Sequence, residues 1–116
     1  MVVSKGEEEI QKFLEEALPH VNYKRWYYVY YEGHKLFFDF YIPSYKLAIE
    51  IQGIQHYEFV EFFHEDRHGL RKQRLKDNIK REWALHNNIN ILEIDKHNFP
   101  KTPNELLNLI YLEMTR

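Results

Sequence analysis

The sequence predicts an α/β domain in which a four-stranded mixed sheet is flanked by helices. Segments whose apolar residues recur at helical spacing alternate with short segments rich in aromatic and β-branched residues. A length of 116 residues and an apolar content of 44% suit one folded domain spanning residues 1–116. The predicted order is helix, three strands, helix, strand and a C-terminal helix.

The first helix is predicted over residues 4–18, where apolar side chains recur at helical spacing until Pro19 interrupts the pattern. Ser4 is a candidate N-cap, and Glu7 three residues later completes a capping box. The segment therefore carries both a start signal and a stop signal.

Three strands are predicted next. Residues 23–31 and 36–42 are rich in aromatic and β-branched types, and the short turn between them predicts a hairpin. The aromatic residues from Trp26 to Tyr31 are expected to pack in the core, with stacking on nucleic-acid bases as the alternative. Residues 47–51 are short and apolar enough to form a central third strand.

The C-terminal half alternates between helix and strand. The pattern is helical over residues 67–87, extended over 89–94 and helical again over 105–114. Because a long helix joins the third and fourth strands, we predict a parallel crossover. The candidate inward residues of the two helices are Leu70, Leu75, Ile79, Trp83, Leu85, Leu106, Leu107, Leu109, Ile110 and Met114.

Composition limits the class of site and the compartment. The chain has no cysteine, which excludes disulfides and thiolate zinc sites. No apolar run approaches the ~20 residues of a membrane span, and the N-terminus lacks the features of a signal peptide. We therefore expect an intracellular, cytoplasmic protein without a membrane partner.

Charge is unevenly distributed, although the net charge is only −2. Residues 71–81 combine six basic side chains with a single acid, Asp77. Such a helix can hold a phosphate backbone locally, and a solvated helix face is the alternative. The predicted phosphate contacts are Arg71, Lys72, Arg74, Lys76 and Lys80.

Two acids, Asp39 and Glu50, lie inside predicted strands that are otherwise almost wholly apolar. An ionised carboxylate in such a place is costly unless something compensates its charge. Glu50 and Gln52 share one strand face because strand side chains alternate, and Asp39 lies near the end of the preceding strand. The pattern therefore predicts a small oxygen-lined site suited to Mg²⁺ or Mn²⁺.

Five short motifs occur in a fixed order between residues 4 and 94. They are Ser4-Lys5-Gly6-Glu7, Asp39, Glu50-Ile51-Gln52, Gly53-Ile54-Gln55-His56 and Asp77-Asn78-Ile79-Lys80. Together they resemble the PD-(D/E)XK nuclease superfamily, and within it the very-short-patch-repair-like branch of small phage-encoded and homing endonucleases. The sequence departs from the pattern at Phe38, where the superfamily has Pro, and at Gln52, where it usually has Lys. Glutamine can orient water but cannot be cationic.

The resemblance implies a restriction-endonuclease-like αβββαβ core, extended here by a C-terminal helix. It also implies metal-dependent hydrolysis of DNA phosphodiesters, either directed by DNA structure or producing nicks. Asp39 and Glu50 would bind Mg²⁺ or Mn²⁺, with the Ile51 backbone carbonyl as a third ligand. DNA would be the partner, and a homodimer would provide two sites for two cuts.

Four further residues would complete the catalytic set that the resemblance implies. Gln52 would orient water, His56 would act as general base or phosphate contact, and Glu7 would hold a water coordinated by the cation. Asp77 would join them from the long helix. Three of these residues have structural alternatives: Glu7 in the capping box, His56 packed among aromatic rings, and Asp77 in an ion pair with Lys80.

Two other functions remain open at this point. His64-Glu65-Asp66-Arg67-His68 matches the H-E-x-x-H signature of zinc peptidases, although Gly69 weakens the helix that this signature needs. A nucleic-acid-binding module of the same fold that has lost its chemistry is the second alternative, and Gln52 is the residue that supports it.

Overall fold

The computed structural model describes residues 5–52 and 67–116, together with their side chains except those of residues 67–74 and 76. The element order confirms the predicted α/β class. The helices are α1 (Lys5–Ala17), α2 (Arg67–Asn87) and α3 (Pro103–Met114). The strands are β1 (Lys24–Tyr31), β2 (His34–Ile42), β3 (Leu47–Ile51) and β4 (Asn90–Ile94), with a 3-10 turn at Pro43–Tyr45.

The four strands form one mixed sheet in the order β1-β2-β3-β4. β1 pairs antiparallel with β2, and β2 pairs antiparallel with β3. β3 and β4 are parallel, with Glu50 opposite Glu93 and Ile51 opposite Ile94. The parallel crossover that the sequence predicts is therefore confirmed.

Side-chain alternation along β3 supplies two hydrophobic cores, one on each face of the sheet. Leu47, Ile49 and Ile51 point to the face covered by α1 and α3, where the larger core lies. Ala48 points to the face covered by α2 and packs with Trp83 and Ala84. These faces are called here the α1–α3 face and the α2 face.

The β1–β2 hairpin changes its buried face at Asp39. Phe38 packs with Trp83 on the α2 face, whereas Phe40 belongs to the core of the α1–α3 face. Residues two apart in a regular strand share a face, so the strand is locally distorted between them. At the matching position of β1, Trp26 has a left-handed backbone with a φ of 54°. Asp39 is thereby placed where the two cores meet.

The prediction of an inward orientation is wrong for three residues, because Leu75, Leu85 and Met114 are exposed. Leu85 follows the buried Trp83 by two positions, a rotation of about 200° around the helix. Leu75 lies one helical turn before Ile79. Ile79 packs against the core of the α2 face, whereas Leu75 is exposed. Met114 lies in the last turn of α3.

The aromatic residues of β1 divide between two environments. Tyr27 and Tyr31 are half-buried and pack against the core of the α2 face. Trp26, Tyr28 and Tyr30 are exposed, so the prediction of core packing is wrong for these three.

Candidate functional site

Four elements bring charged side chains together at one end of the sheet. Glu7 lies in the first turn of α1, and Lys80 lies on α2. Asp39 on β2 and Glu50 on β3 come next in the antiparallel register after the pair of Phe40 and Ile49. We call Glu7, Asp39, Glu50 and Lys80 the carboxylate site.

Asp39 is partly buried, and its Oδ2 accepts a hydrogen bond of 2.7 Å from the backbone N–H of Ile51. The pKa of Asp39 is raised to about 7, chiefly by burial and next by a hydrogen bond between its carboxyl group and that of Glu7. The charges of Glu7 and Glu50 act in the same direction, whereas the hydrogen bond from Ile51 lowers the pKa.

The contact between Asp39 and Glu7 has a direct chemical consequence. Two ionised carboxylates have only acceptor oxygens, so a hydrogen bond between them requires a proton on one of the two groups. A cation that binds both oxygens can take the place of that proton. The raised pKa of Asp39 fits a proton shared by the pair near neutral pH.

Arg25 orients the Glu7 side chain on the α1–α3 face. Its Nη2 lies 3.5 Å from Glu7 Oε2, and the indole N–H of Trp26 donates to the same oxygen at 3.4 Å. The Arg25 guanidinium stacks 4.4 Å from the Trp26 ring and donates to Gln11. Sequence reasoning missed Arg25 and Trp26 as site residues, because the contacts join residues 18 and 19 positions apart.

Glu50 differs from Asp39 because it has a basic partner. Lys80 Nζ forms an ion pair with Glu50 Oε1, and both side chains are largely buried. Burial raises the pKa of Glu50, while Lys80 opposes that rise and the charge of Asp77 adds to it. The Lys80 ammonium also lies 5.3 Å from the centroid of the Phe38 ring.

The structure places the other predicted residues in varied positions. Gln52 is exposed, and its backbone N–H donates to the Ile94 carbonyl at 2.7 Å. Asp77 is partly buried and raises the pKa of Glu50 through its charge. Lys80 forms its ion pair with Glu50, whereas the sequence suggested a pair with Asp77. Ile51 contributes its N–H to the site, and its role as a carbonyl ligand stays a prediction.

Several predictions fall outside the described part of the chain. They concern the capping residue Ser4, the histidines His56 and His64, and the side chains of the basic residues on α2. These basic residues are Arg71, Lys72, Arg74 and Lys76. Lys80 is the predicted phosphate contact whose side chain the structure describes.

In the described residues, no three or more His, Cys, Asp or Glu side chains are arranged to hold a metal ion. The oxygens of Asp39 and Glu50 face Ile51 and Lys80 instead. The set nevertheless offers the hard carboxylate oxygens that Mg²⁺ and Mn²⁺ prefer. The site thus combines one close pair of carboxyl groups with one carboxylate that is paired with a lysine.

Comparison with known proteins finds viral relatives. The chain is 38% identical over 56 residues to "Uncharacterized protein 307L" of Invertebrate iridescent virus 6. The matched residues are 48% of this chain and 28% of that protein. It is 44% identical over 63 residues to "Uncharacterized protein 094L" of Frog virus 3 (isolate Goorha), covering 53% of the chain and 41% of the relative. The chain thus spans less than half the length of these relatives.

A third relative is "Uncharacterized protein 033L" of Invertebrate iridescent virus 3, to which the chain is 32% identical over 62 residues. These residues are 53% of this chain and 32% of that protein. No family model matches the chain. No solved structure matches it either. Within residues 5–52 and 67–116, none of the helices combines the length and apolar character needed to cross a membrane.

Proposed function

We propose that this protein is a divalent-metal-dependent endonuclease that hydrolyses DNA phosphodiester bonds on a restriction-endonuclease-like fold. The observation that carries the proposal is the convergence of Glu7, Asp39, Glu50 and Lys80 from four elements on one end of the sheet. Buried, crowded carboxylates cost stability, and such clusters are typical of functional sites.

The residues fit a hard divalent cation by their chemistry. Asp39, Glu50 and the Ile51 carbonyl are the proposed ligands, since carboxylate and carbonyl oxygens suit Mg²⁺ and Mn²⁺. Glu7 lies beside Asp39 and adds a further oxygen donor. When bound, the cation would neutralise charge at the phosphate and lower the pKa of the attacking water.

Lys80 would supply the positive charge that Gln52 lacks. In the structure its ammonium forms an ion pair with Glu50. Binding of a cation at Glu50 would compete with this ion pair and leave Lys80 available to a phosphate oxygen. Arg25 would keep Glu7 oriented toward Asp39 through its contact with Glu7 Oε2.

Nicking of supercoiled plasmid tests the proposal. The wild type should nick DNA with Mg²⁺ or Mn²⁺ and be inactive in EDTA. Asp39→Asn and Glu50→Gln should each reduce nicking by at least about 100-fold, because each removes a charged ligand. The matched control is Glu93→Gln, since Glu93 lies opposite Glu50 on the adjacent strand yet is exposed. Cleavage that survives both ligand substitutions would refute the proposal.

A DNA-binding module without cleavage activity is the second candidate. It is favoured by the engagement of Asp39 with Ile51 and of Glu50 with Lys80, which satisfies both carboxylates without a cation. On that reading the wild type binds plasmid but leaves it intact with every metal tested. Isothermal titration calorimetry with MgCl₂ and MnCl₂ would then detect no binding of either ion.

A further inference from the structure

The outer surface of the β1–β2 hairpin carries three exposed aromatic rings around one lysine. Tyr28, Tyr30 and Phe37 are 51%, 71% and 50% exposed. Tyr28 lies opposite Phe37 in the register, and Tyr30 lies opposite Lys35. We call these four residues the hairpin platform. Single exposed apolar residues are ordinary, whereas a contiguous exposed group marks an interaction surface.

The platform has a defined internal geometry. The Tyr28 ring lies with its centroid 6.0 Å from those of both Tyr30 and Phe37. Lys35 Nζ lies 4.4 Å from the Tyr28 ring centroid, 5.1 Å from that of Phe37 and 5.8 Å from that of Tyr30. A positive charge is therefore held at the centre of three π faces.

The platform lies close to the carboxylate site along the hairpin. Phe37 precedes Asp39 by two positions on β2. Trp26 lies between the two surfaces, since it is at the register position of Asp39 and its indole N–H reaches Glu7. Trp26 is itself 41% exposed. A ligand that extends from the carboxylate site along the hairpin would meet Trp26 and then the platform.

The chemistry of the platform fits unpaired nucleic-acid bases. Exposed tyrosine and phenylalanine rings offer stacking surfaces that accept any base, and a nearby cation attracts the phosphate between bases. A second copy of the chain fits less well. A two-fold contact centred on this surface would bring two Lys35 ammonium groups together and remove them from water.

We propose that the hairpin platform binds unpaired bases of a DNA strand that leaves the carboxylate site. This inference rests on the proposed nuclease function. Tyr28, Tyr30 and Phe37 stack on the bases, and Lys35 contacts a phosphate. The protein would accordingly prefer DNA with a single-stranded segment next to the bond that is cut.

Binding of a fluorescein-labelled oligothymidylate in EDTA, followed by fluorescence anisotropy, tests the platform without cleavage. Tyr30→Ala should weaken binding about tenfold, the loss of roughly one stacked base. Tyr30→Phe should retain wild-type affinity, because the ring remains. Tyr111→Ala is the matched control, because Tyr111 on α3 is also 71% exposed but lies outside the platform. Equal losses in Tyr30→Ala and Tyr111→Ala would overturn the proposal.

A salt series and a duplex of the same length separate the remaining outcomes. Lys35→Gln should reduce the salt dependence of binding, and Tyr30→Ala should leave duplex affinity unchanged. Unchanged oligothymidylate affinity with altered sedimentation of Tyr30→Ala would identify a contact between copies and refute the platform. Loss of plasmid nicking in Asp39→Asn, together with normal oligothymidylate binding by Tyr30→Ala, would refute the platform while supporting the nuclease.

Discussion

Asp39 and Glu50 are neighbouring carboxyl groups that differ in the charge of the side chain nearest to them. Glu50 is buried against Lys80, which opposes the rise in its pKa. Asp39 is buried beside Glu7, a second carboxyl group, and its pKa rises to about 7. The difference shows that the protein neutralises Glu50 with its own lysine, whereas Asp39 has a second carboxyl group beside it, which favours its protonated form. The predictions below break or sharpen this comparison.

The largest expected effect comes from removing the Lys80 ammonium group that neutralises Glu50. Lys80→Ala leaves a buried carboxylate without its partner and should lower the free energy of unfolding by about 3 kcal/mol at neutral pH. Urea denaturation measures the change. The double variant Lys80→Ala with Glu50→Gln should regain most of the loss, because the unpaired charge is gone. If the double variant is no more stable than Lys80→Ala, the loss comes from the contact of Lys80 with the Phe38 ring, whose centroid lies 5.3 Å from the ammonium nitrogen.

The second effect has the opposite sign. The pKa of Asp39 rises from its ordinary value of 3.8 to about 7, so between these pH values the folded protein binds more protons than the unfolded chain. Metal-free stability should therefore fall as the pH rises through this window. Asp39→Asn removes the cost and keeps an acceptor for the Ile51 N–H. It should be stabilising by about 2 kcal/mol near pH 8 and neutral near pH 4.

Denaturation of the metal-free protein at the two pH values checks this prediction. A purely structural aspartate would behave differently, since its replacement would lower stability at both pH values. Gain of stability together with loss of plasmid nicking would indicate that the carboxylate is kept for function at a cost to the fold. The matched variant is Asp95→Asn, because Asp95 is partly exposed and accepts backbone N–H bonds in a loop.

Sequence patterns predicted the α/β class, the order of the elements and two residues of the carboxylate site. Residues 47–51 and 67–87 are a strand and a helix at the predicted bounds, because hydrophobic periodicity reports local burial directly. The last helix begins at Pro103, two residues before its predicted start, because Thr102 caps the N–H of Glu105. Acids inside apolar runs also identified Asp39 and Glu50, since burying a carboxylate is costly.

Long-range features were not predictable from the sequence. The left-handed backbone of Trp26 has no local signal, because aromatic residues rarely adopt a positive φ. Without it the change of face at Asp39 cannot be foreseen. The choice of Glu50 over Asp77 as the partner of Lys80 is equally hidden, because a helical spacing of three residues suggested the local pair.

A smaller effect should follow from adding a divalent metal ion that binds at Asp39. If Mg²⁺ or Mn²⁺ binds the folded protein alone, a concentration ten times the dissociation constant should stabilise it by about 1.4 kcal/mol. Thermal denaturation at neutral pH with and without the metal measures the shift. Asp39→Asn should show a much reduced shift because it lacks the charged ligand. An equal shift in both proteins would place the metal elsewhere and contradict the assignment of Asp39.

The smallest effect concerns Glu93, the residue opposite Glu50 on β4. Its contact with Arg81 spans 4.0 Å between side chains that are 45% and 65% exposed, so solvent screens the pair. Glu93→Gln should change the free energy of unfolding by less than about 0.5 kcal/mol. It should also lower the pKa of Glu50 slightly, because the charge of Glu93 raises that pKa. A loss comparable to that of Lys80→Ala would mean that position in the sheet, rather than burial beside another charge, determines what an acid contributes here.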